Sequence, residues 1–192
     1  MFTNPLSLFV KFLLVWLTLV LLMSSLAVRP VLIQVAGTKV YLQVTPTSVR
    51  PNLSLEEIVF RYDVEDIPYA ALDRDLRDIV DSVAEYRPLS RRFRQMTVYV
   101  SLEQVGAVHT ITQASSTRPD DGLYLIGSVT SVRSSDEHER LLVVRYGLPR
   151  QTDQADPEGR LLHAFRDDTL VLATVRIHRG HARLDMLHPV SN

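Results

Sequence analysis

The chain contains no cysteine, which excludes disulfide bonds, thiolate metal sites, iron–sulfur clusters and cysteine nucleophiles. Lysine is nearly absent too, since Lys11 and Lys39 are the only two. Because Lys11 lies in or beside the apolar N-terminal segment, a serine–lysine peptidase would have to use Lys39. Neither the GxSxG motif of serine hydrolases nor the HExxH motif of zinc peptidases occurs. The sequence therefore predicts no catalytic residue, no metal site and no cofactor.

The charge balance and the composition exclude further classes of protein. The 21 basic and 22 acidic residues give a net charge of −1, so we expect no nucleic-acid partner. With 46% hydrophobic residues, 7 glycines and 10 prolines, the chain is not typical of disordered, collagen-like or low-complexity proteins. The 192 residues fit one ordinary domain plus a tail, or two very small domains.

An apolar segment near the N-terminus predicts a membrane helix. Residues 12–28 are 17 positions without a charge, and the apolar stretch extends over residues 6–28 if Lys11 snorkels toward a headgroup. A helix of that length reaches across a bilayer. We expect residues 1–29 to be a single-pass anchor in the cytoplasmic membrane and residues 30–192 to form an extracytoplasmic domain.

The same segment has a second interpretation, a cleaved signal peptide. Ser25, Leu26 and Ala27 place small residues where a signal peptidase would cut, after Ala27. The apolar run exceeds the roughly 7–15 residues usual in signal peptides, which favours the retained anchor. Both interpretations place the C-terminal domain outside the cytoplasm.

Residues 30–192 have the pattern of one β-rich domain. Runs of alternating or β-branched residues predict strands. These runs are residues 39–44, 58–64, 97–102, 107–113, 123–132, 141–146, 170–178 and 182–187. Arg179-Gly180 predicts a tight hairpin between the last two. Short strands joined by hairpins predict an antiparallel sheet that is folded over itself or closed like a barrel.

One stretch, residues 70–86, breaks the β pattern. Its apolar residues recur at helical spacing, and Pro68 and Pro88 mark its two ends. A shorter helix is predicted from about Pro157 to Phe165. The predicted fold class is thus β-rich α+β: a transmembrane helix, then one antiparallel β domain with an inserted amphipathic helix at about 70–86.

Seven short stretches follow one another in the same order as similar stretches in a known protein family. They are Gly37–Val40, Thr45-Pro46, Leu55–Tyr62, Val98–Glu103, Arg118–Gly122, Arg145–Leu148 and Pro157–Gly159. Their order and spacing, over most of residues 31–187, resemble the GDYXXLXY family of bacterial membrane-anchored proteins. The resemblance implies a membrane helix, a short β domain and association with a polytopic membrane protein, and it implies no established activity. The chain departs from the family at the name-giving motif, because Gly-Asp-Tyr is absent and Phe60 replaces the leucine before Tyr62.

Arg145, Tyr146 and Gly147 end a predicted strand and form the first candidate binding site. The arginine can bind a carboxylate or phosphate through two hydrogen bonds, and the tyrosine offers a flat surface contact. In the alternative, structural interpretation, the glycine makes a turn and the arginine pairs with a nearby acid. Arg61 and Tyr62 form a second candidate, for which the alternative is a core-facing aromatic strand with an ion pair on its solvent face.

A basic cluster and a pair of histidines are weaker candidates. The cluster consists of Arg87, Arg91, Arg92 and Arg94. It could contact headgroups or an acidic partner, or it could pair with the acids of the preceding helix. His178 and His181 flank the predicted hairpin turn, but two imidazoles alone do not complete a zinc site.

Three functions remain open at this point. The first is a non-enzymatic accessory subunit, anchored in the bilayer through residues 6–28 and bound to another membrane protein. The second is a standalone extracytoplasmic ligand-binding domain near Arg145 and Tyr146. The third is a hydrolase with an unrecognised site.

Overall fold

The computed structural model describes residues 8–51, 56–82, 93, 96–134, 140–152, 160–167 and 169–190. The helices of this part are α1 (Leu8–Ala36), α2 (Arg74–Ser82) and α3 (Arg160–Arg166). The strands are β1 (Thr38–Pro51), β2 (Glu56–Tyr62), β3 (Asp66–Pro68), β4 (Thr97–Val105), β5 (Val108–Ser115), β6 (Tyr124–Ser134), β7 (Arg140–Arg145), β8 (Gln151–Thr152), β9 (Val171–His178) and β10 (His181–Pro189). Short 3₁₀ turns cover Asp63–Glu65 and Tyr69–Ala71.

The described strands form two antiparallel sheets. Sheet A has the order β10-β9-β1-β2-β8, and sheet B has the order β3-β7-β6-β4-β5. The β-rich, antiparallel prediction is therefore confirmed, but the strands are divided between two sheets instead of forming a single folded or closed one. One hydrophobic core takes side chains from both sheets.

Alternation along the strands decides which side chains enter this core. In β1, Val40, Leu42 and Val44 are buried, whereas Lys39 and Gln43 are exposed. The interior strand β9, which pairs with β10 and β1, is different, because its residues 171–175 are all buried. Its outer face is not left to solvent, since α1 and α3 both contact this strand. A strand buried on both faces reads as a continuous apolar run, as β9 does.

The inserted helix is present but begins later than predicted. It starts at Arg74 instead of Ala70, because Asp73 ends the preceding segment as its N-cap: one carboxylate oxygen accepts the Leu76 amide at 2.9 Å. The other oxygen accepts the Ser116 amide at 2.9 Å, which ties the helix start to the end of β5. Residues 83–86 lie outside the described residues. Of the shorter predicted helix, residues 160–165 are helical within α3, which extends one residue further, and residues 157–159 are not described.

The last turns of α1 are joined to sheet A. Ile33 is buried, and Arg176 of β9 donates from Nη1 to the Gln34 carbonyl at 2.7 Å. The same guanidinium donates from Nε to Asp185 of β10 at 2.6 Å. Gly37 closes the helix, where a Cβ would come within 2.2 Å of the Ile33 carbonyl oxygen. The helix end is thus held by specific contacts on two neighbouring strands.

The rest of α1 exposes its apolar side chains. Every side chain from residue 11 to residue 25 is exposed. No single helix of the described residues is long and apolar enough to cross a membrane. The segments Phe9–Ser25 and Pro30–Ala36, bent by 46° relative to each other, meet the length and hydropathy requirement together. Pro30 explains a bend, because proline lacks the amide that a continuous helix uses.

Candidate functional site

The two predicted binding motifs, Arg61-Tyr62 and Arg145–Gly147, lie close together in the fold. The Tyr146 hydroxyl donates to the Val64 carbonyl at 2.7 Å, and the Tyr62 hydroxyl donates to the Pro149 carbonyl at 2.9 Å. Each tyrosine therefore bonds to backbone beside the other motif. Both rings are buried, and this burial raises the pKa of both phenols above the ordinary value, so both remain neutral donors.

Burial corrects the expectation of a surface tyrosine in Arg145–Gly147. Tyr146 is part of the hydrophobic core, and its ring lies over Gly127 of β6, where a Cβ would approach its Cδ1 to 2.9 Å. Tyr62 is also fully buried and packs edge-on against Phe60, with ring centroids 5.6 Å apart. Their hydroxyl groups serve the chain's own backbone, so neither ring offers a flat contact to a partner.

A buried ion pair connects the same two regions. Glu65 is 1% exposed, and its carboxylate oxygens accept from Nε and Nη2 of Arg150 at 3.2 and 2.8 Å. The Arg150 side chain is 31% exposed, so this pair has one end in the core and one end near solvent. Burial raises the pKa of Glu65, while the charges of Arg150 and Arg145 oppose that rise. A two-bond guanidinium–carboxylate pair also fixes orientation, so it holds the 3₁₀ turn against the segment that follows β7.

Asp66 is the partner of two further arginines. Its Oδ2 pairs with Arg61 at 3.0 Å and with Arg133 of β6. Its Oδ1 is buried and has no hydrogen-bond partner in the described part of the chain. Arg61 of the second motif is thus engaged in an ion pair between β2 and sheet B, as its structural interpretation requires.

Arg145 differs from the residues around it because it is exposed at the end of β7. Gly147 follows with a φ of +72°, and a Cβ there would meet nothing within 4 Å, so the turn needs glycine for its backbone conformation alone. The predicted binding role of these residues now depends on Arg145 and stays a prediction. The rest of the network, in which Oδ1 of Asp66 alone was found without a partner among the described residues, is suited to holding the two sheets together.

A cleft of about 250 Å³, here called the intersheet cleft, lies between β1 and β5. Its apolar lining comes from Val64, Pro68, Val108 and Ile111, and its polar lining comes from Gln43, Asp63, His109 and Thr110. His109 is buried, and its Nδ1 accepts the Tyr41 amide at 3.3 Å, which leaves Nε2 as the protonated nitrogen of the neutral ring. Burial lowers the pKa of His109, and desolvation raises the pKa of Asp63 although its Thr45 hydrogen bond opposes this.

A second cleft of about 310 Å³, here called the turn cleft, opens between two turns. One is the segment Arg118–Tyr124, which leads into β6 and includes its first residue, and the other is the β9–β10 turn, His178–Gly180. The end of α1 completes it through Ala36, together with Thr38 at the start of β1. Because the Ile126 amide of β6 donates to the Gly180 carbonyl at 2.8 Å, the β9–β10 turn is held against the start of β6, next to the first turn.

The predicted hairpin at Arg179-Gly180 is confirmed, and His178 pairs with His181 across it. Both central residues have positive φ, 50° at Arg179 and 82° at Gly180, as a two-residue type I′ turn requires. Within the described residues, no group of three or more His, Asp or Glu side chains is placed to hold a metal ion. The basic cluster Arg87, Arg91, Arg92 and Arg94 lies outside the described residues.

Several residues of these sites were not singled out from the sequence. Glu65, Arg150 and His109 carry no local signal, because a charged residue in a strand or a turn has the same pattern whether it is exposed or paired in the interior. A weak signal existed for the turn cleft: Pro119–Gly122 and Arg179-Gly180 both have turn residues and both carry charges. The sequence did not predict that the two turns lie next to each other.

Comparisons with models of protein families, with curated proteins and with solved structures return no match to this chain, so the resemblance to the GDYXXLXY family stays a prediction.

Proposed function

We propose that this chain is a single-pass membrane protein whose β domain lies outside the cytoplasm and acts as a non-enzymatic accessory subunit of a membrane complex. The exposed apolar surface of α1 carries the proposal. Large apolar side chains such as Phe12, Trp16 and Leu21 are exposed on all sides of the helix. A helix that is apolar all round needs an apolar environment, and a bilayer supplies one.

The joint between α1 and sheet A supports an accessory role. A domain tethered by a flexible linker can reorient, whereas here Gln34 is bonded to Arg176 and also accepts from Arg183 at 3.3 Å. The proposed anchor therefore continues directly into β1, and the orientation of the helix end is coupled to that of the sheet. Such coupling suits a subunit that presents one fixed surface to a membrane partner.

Leu17→Arg tests the anchor. An arginine at the centre of a membrane helix costs about 2.5–3.5 kcal/mol on insertion scales, so we expect a much larger share of this variant in the soluble fraction after alkaline carbonate extraction. Leu17→Phe, which keeps the position apolar, should stay with the membrane like the unaltered chain. Mass spectrometry of the membrane-bound chain should find residues 1–29 still attached. An unaltered chain that is released by carbonate, or that starts after Ala27, would contradict the proposal.

The accessory role has its own test. We expect a polytopic membrane protein to co-purify in stoichiometric amount when the tagged chain is extracted from its native membrane with a mild detergent. The Leu17→Arg chain, prepared in parallel, should recover none of it. A chain that purifies alone, even after cross-linking in intact membranes, would contradict the accessory role while leaving the anchor in place.

Ligand binding in the intersheet cleft is the second candidate function. It is favoured by the buried His109, whose Nε2–H lies in a mostly apolar cleft beside Asp63, a combination typical of small-molecule sites.

A further inference from the structure

We propose that the turn cleft binds a zwitterionic phosphate ester with a primary ammonium group, namely the headgroup of phosphatidylethanolamine at the membrane surface. The location rests on the proposed function, because an anchored chain is what brings this cleft to a bilayer. The chemistry rests on the side chains of the cleft, which carry charges of both signs.

The charges in the turn cleft balance. Arg118 and Arg179 contribute two positive charges, and Asp120 and Asp121 contribute two negative charges. Neither aspartate nor Arg179 has an ion-pair or hydrogen-bond partner among the described residues, and Arg118 stacks 5.6 Å from the Tyr124 ring centroid. A cleft with no net charge gives no preference to a purely anionic or cationic ligand. It favours a ligand that carries both charges.

Each half of an ethanolamine headgroup matches one pair of side chains. Guanidinium groups bind phosphate through two parallel hydrogen bonds, which suits Arg118 and Arg179. A primary ammonium has three donors, which suits the carboxylates of Asp120 and Asp121. A choline headgroup has the same charges but no N–H donor, so it cannot donate a hydrogen bond to those carboxylates.

A buried polar atom also points to a ligand. The Tyr124 side chain lines this cleft, is 7% exposed, and has a hydroxyl with no hydrogen-bond partner in the described residues. Native structures rarely leave a buried hydroxyl unsatisfied, because its desolvation costs about 1–3 kcal/mol. In the lipid complex we expect this hydroxyl, which is shielded from solvent in the free chain, to turn toward a phosphate oxygen that lies between the two arginines.

The position and the size of the cleft fit a headgroup and not a whole lipid. Ala36, the last residue of α1, lines the cleft, and Val31, Leu32 and Val35 of the same helical segment expose apolar side chains. Apolar side chains on a segment bent away from the spanning part favour a position at the membrane interface. The volume of about 310 Å³ lies at the small end of the roughly 300–1,000 Å³ typical of ligand pockets.

The test is native mass spectrometry of the full chain after exposure to equal amounts of phosphatidylethanolamine, phosphatidylcholine and phosphatidylglycerol in mixed micelles. We expect phosphatidylethanolamine to be retained about tenfold over each of the others. The Asp120→Asn/Asp121→Asn variant should lose the preference over choline, and Arg179→Asn, which tolerates the positive φ, should lose retention of all three. Arg74→Gln, an exposed arginine on α2, is the matched control and should behave like the unaltered chain.

Two results would overturn the proposal. One is equal retention of the three lipids by the unaltered chain, or a preference that survives both cleft variants. The other is binding of soluble glycerophosphoethanolamine without retention of the lipid, which would mean that the ligand is a soluble phosphate ester and not a membrane lipid. Carbonate extraction of every variant distinguishes a failure of headgroup binding from a failure of membrane anchoring, since the cleft variants should remain in the membrane fraction.

Discussion

Replacing Arg150 with methionine is expected to lower the free energy of unfolding by about 3–5 kcal/mol, because it leaves a buried carboxylate without its partner. Glu65 is 1% exposed and has Arg150 as its two-bond partner. The double variant Glu65→Gln/Arg150→Met should lose much less than the sum of the single changes, since no uncompensated charge remains. Chemical denaturation of the full chain in detergent, followed by circular dichroism, measures all three values.

The pH dependence of the stability loss in Arg150→Met tests whether the Glu65 carboxylate causes that loss. Burial raises the folded-state pKa of Glu65 above its ordinary 4.5, so its contribution to stability is fully present below that value and is lost as the pH rises through the folded-state pKa. Without Arg150 this pKa rises further, so the deficit of Arg150→Met should shrink at acid pH. Arg145→Met, which removes a nearby exposed charge, should change stability by no more than about 0.5 kcal/mol. A pH-independent deficit, or an equal loss in Arg145→Met, would contradict this account.

Gly180→Ala is expected to lower the free energy of unfolding by about 3 kcal/mol. Two effects add: an L-residue at a φ of +82° costs about 1–2 kcal/mol, and the new methyl group would overlap its neighbours, at about 1–3 kcal/mol. The added Cβ would lie 2.4 Å from Ile126 Cγ1 and 2.5 Å from Tyr124 Cε2. The turn would have to move away from β6 and lengthen the Ile126–Gly180 hydrogen bond.

Gly106→Ala is the matched control for this prediction. Gly106 has a φ of +63° in the β4–β5 turn, and a Cβ there would meet nothing within 4 Å. Its loss should therefore be only the backbone cost, about 1 kcal/mol. Equal losses in the two variants would mean that the β9–β10 turn is not packed tightly against β6.

Much of the local structure was predictable, because alternation of side chains along a strand reports which face is buried. The segments around Lys39–Val44, Thr97–Leu102 and Leu141–Arg145 are strands, and the hairpin at Arg179-Gly180 follows from its turn residues. The helix start was misplaced because Leu72 pairs with Ala114 and Asp73 caps the helix instead of joining it. The cap is a local contact with Leu76, but the pairing of Leu72 comes from β5, which is distant in the sequence.

The candidate sites were less predictable than the fold. Arg145 was named for its residue type, and the structure leaves it exposed, whereas the adjacent Tyr146 turns into the core. The turn cleft combines a loop near residue 120 with a hairpin near residue 180, and nothing in either segment states that they meet. A charged surface residue has the same sequence pattern whether it is isolated or lines a cleft together with other charged residues.

By itself, the sequence determined the apolar N-terminal segment, the β-rich domain and most strand positions, because these depend on hydrophobicity, side-chain period and turn preference within short windows. Only the tertiary structure decided that the strands divide into two sheets, that β1 lies between β9 and β2, and that Glu65 meets Arg150. The physical reason is that alternation specifies a buried face but not the strand that covers it. Strand pairing and buried ion pairs depend on how the apolar faces of all the strands and helices pack against one another.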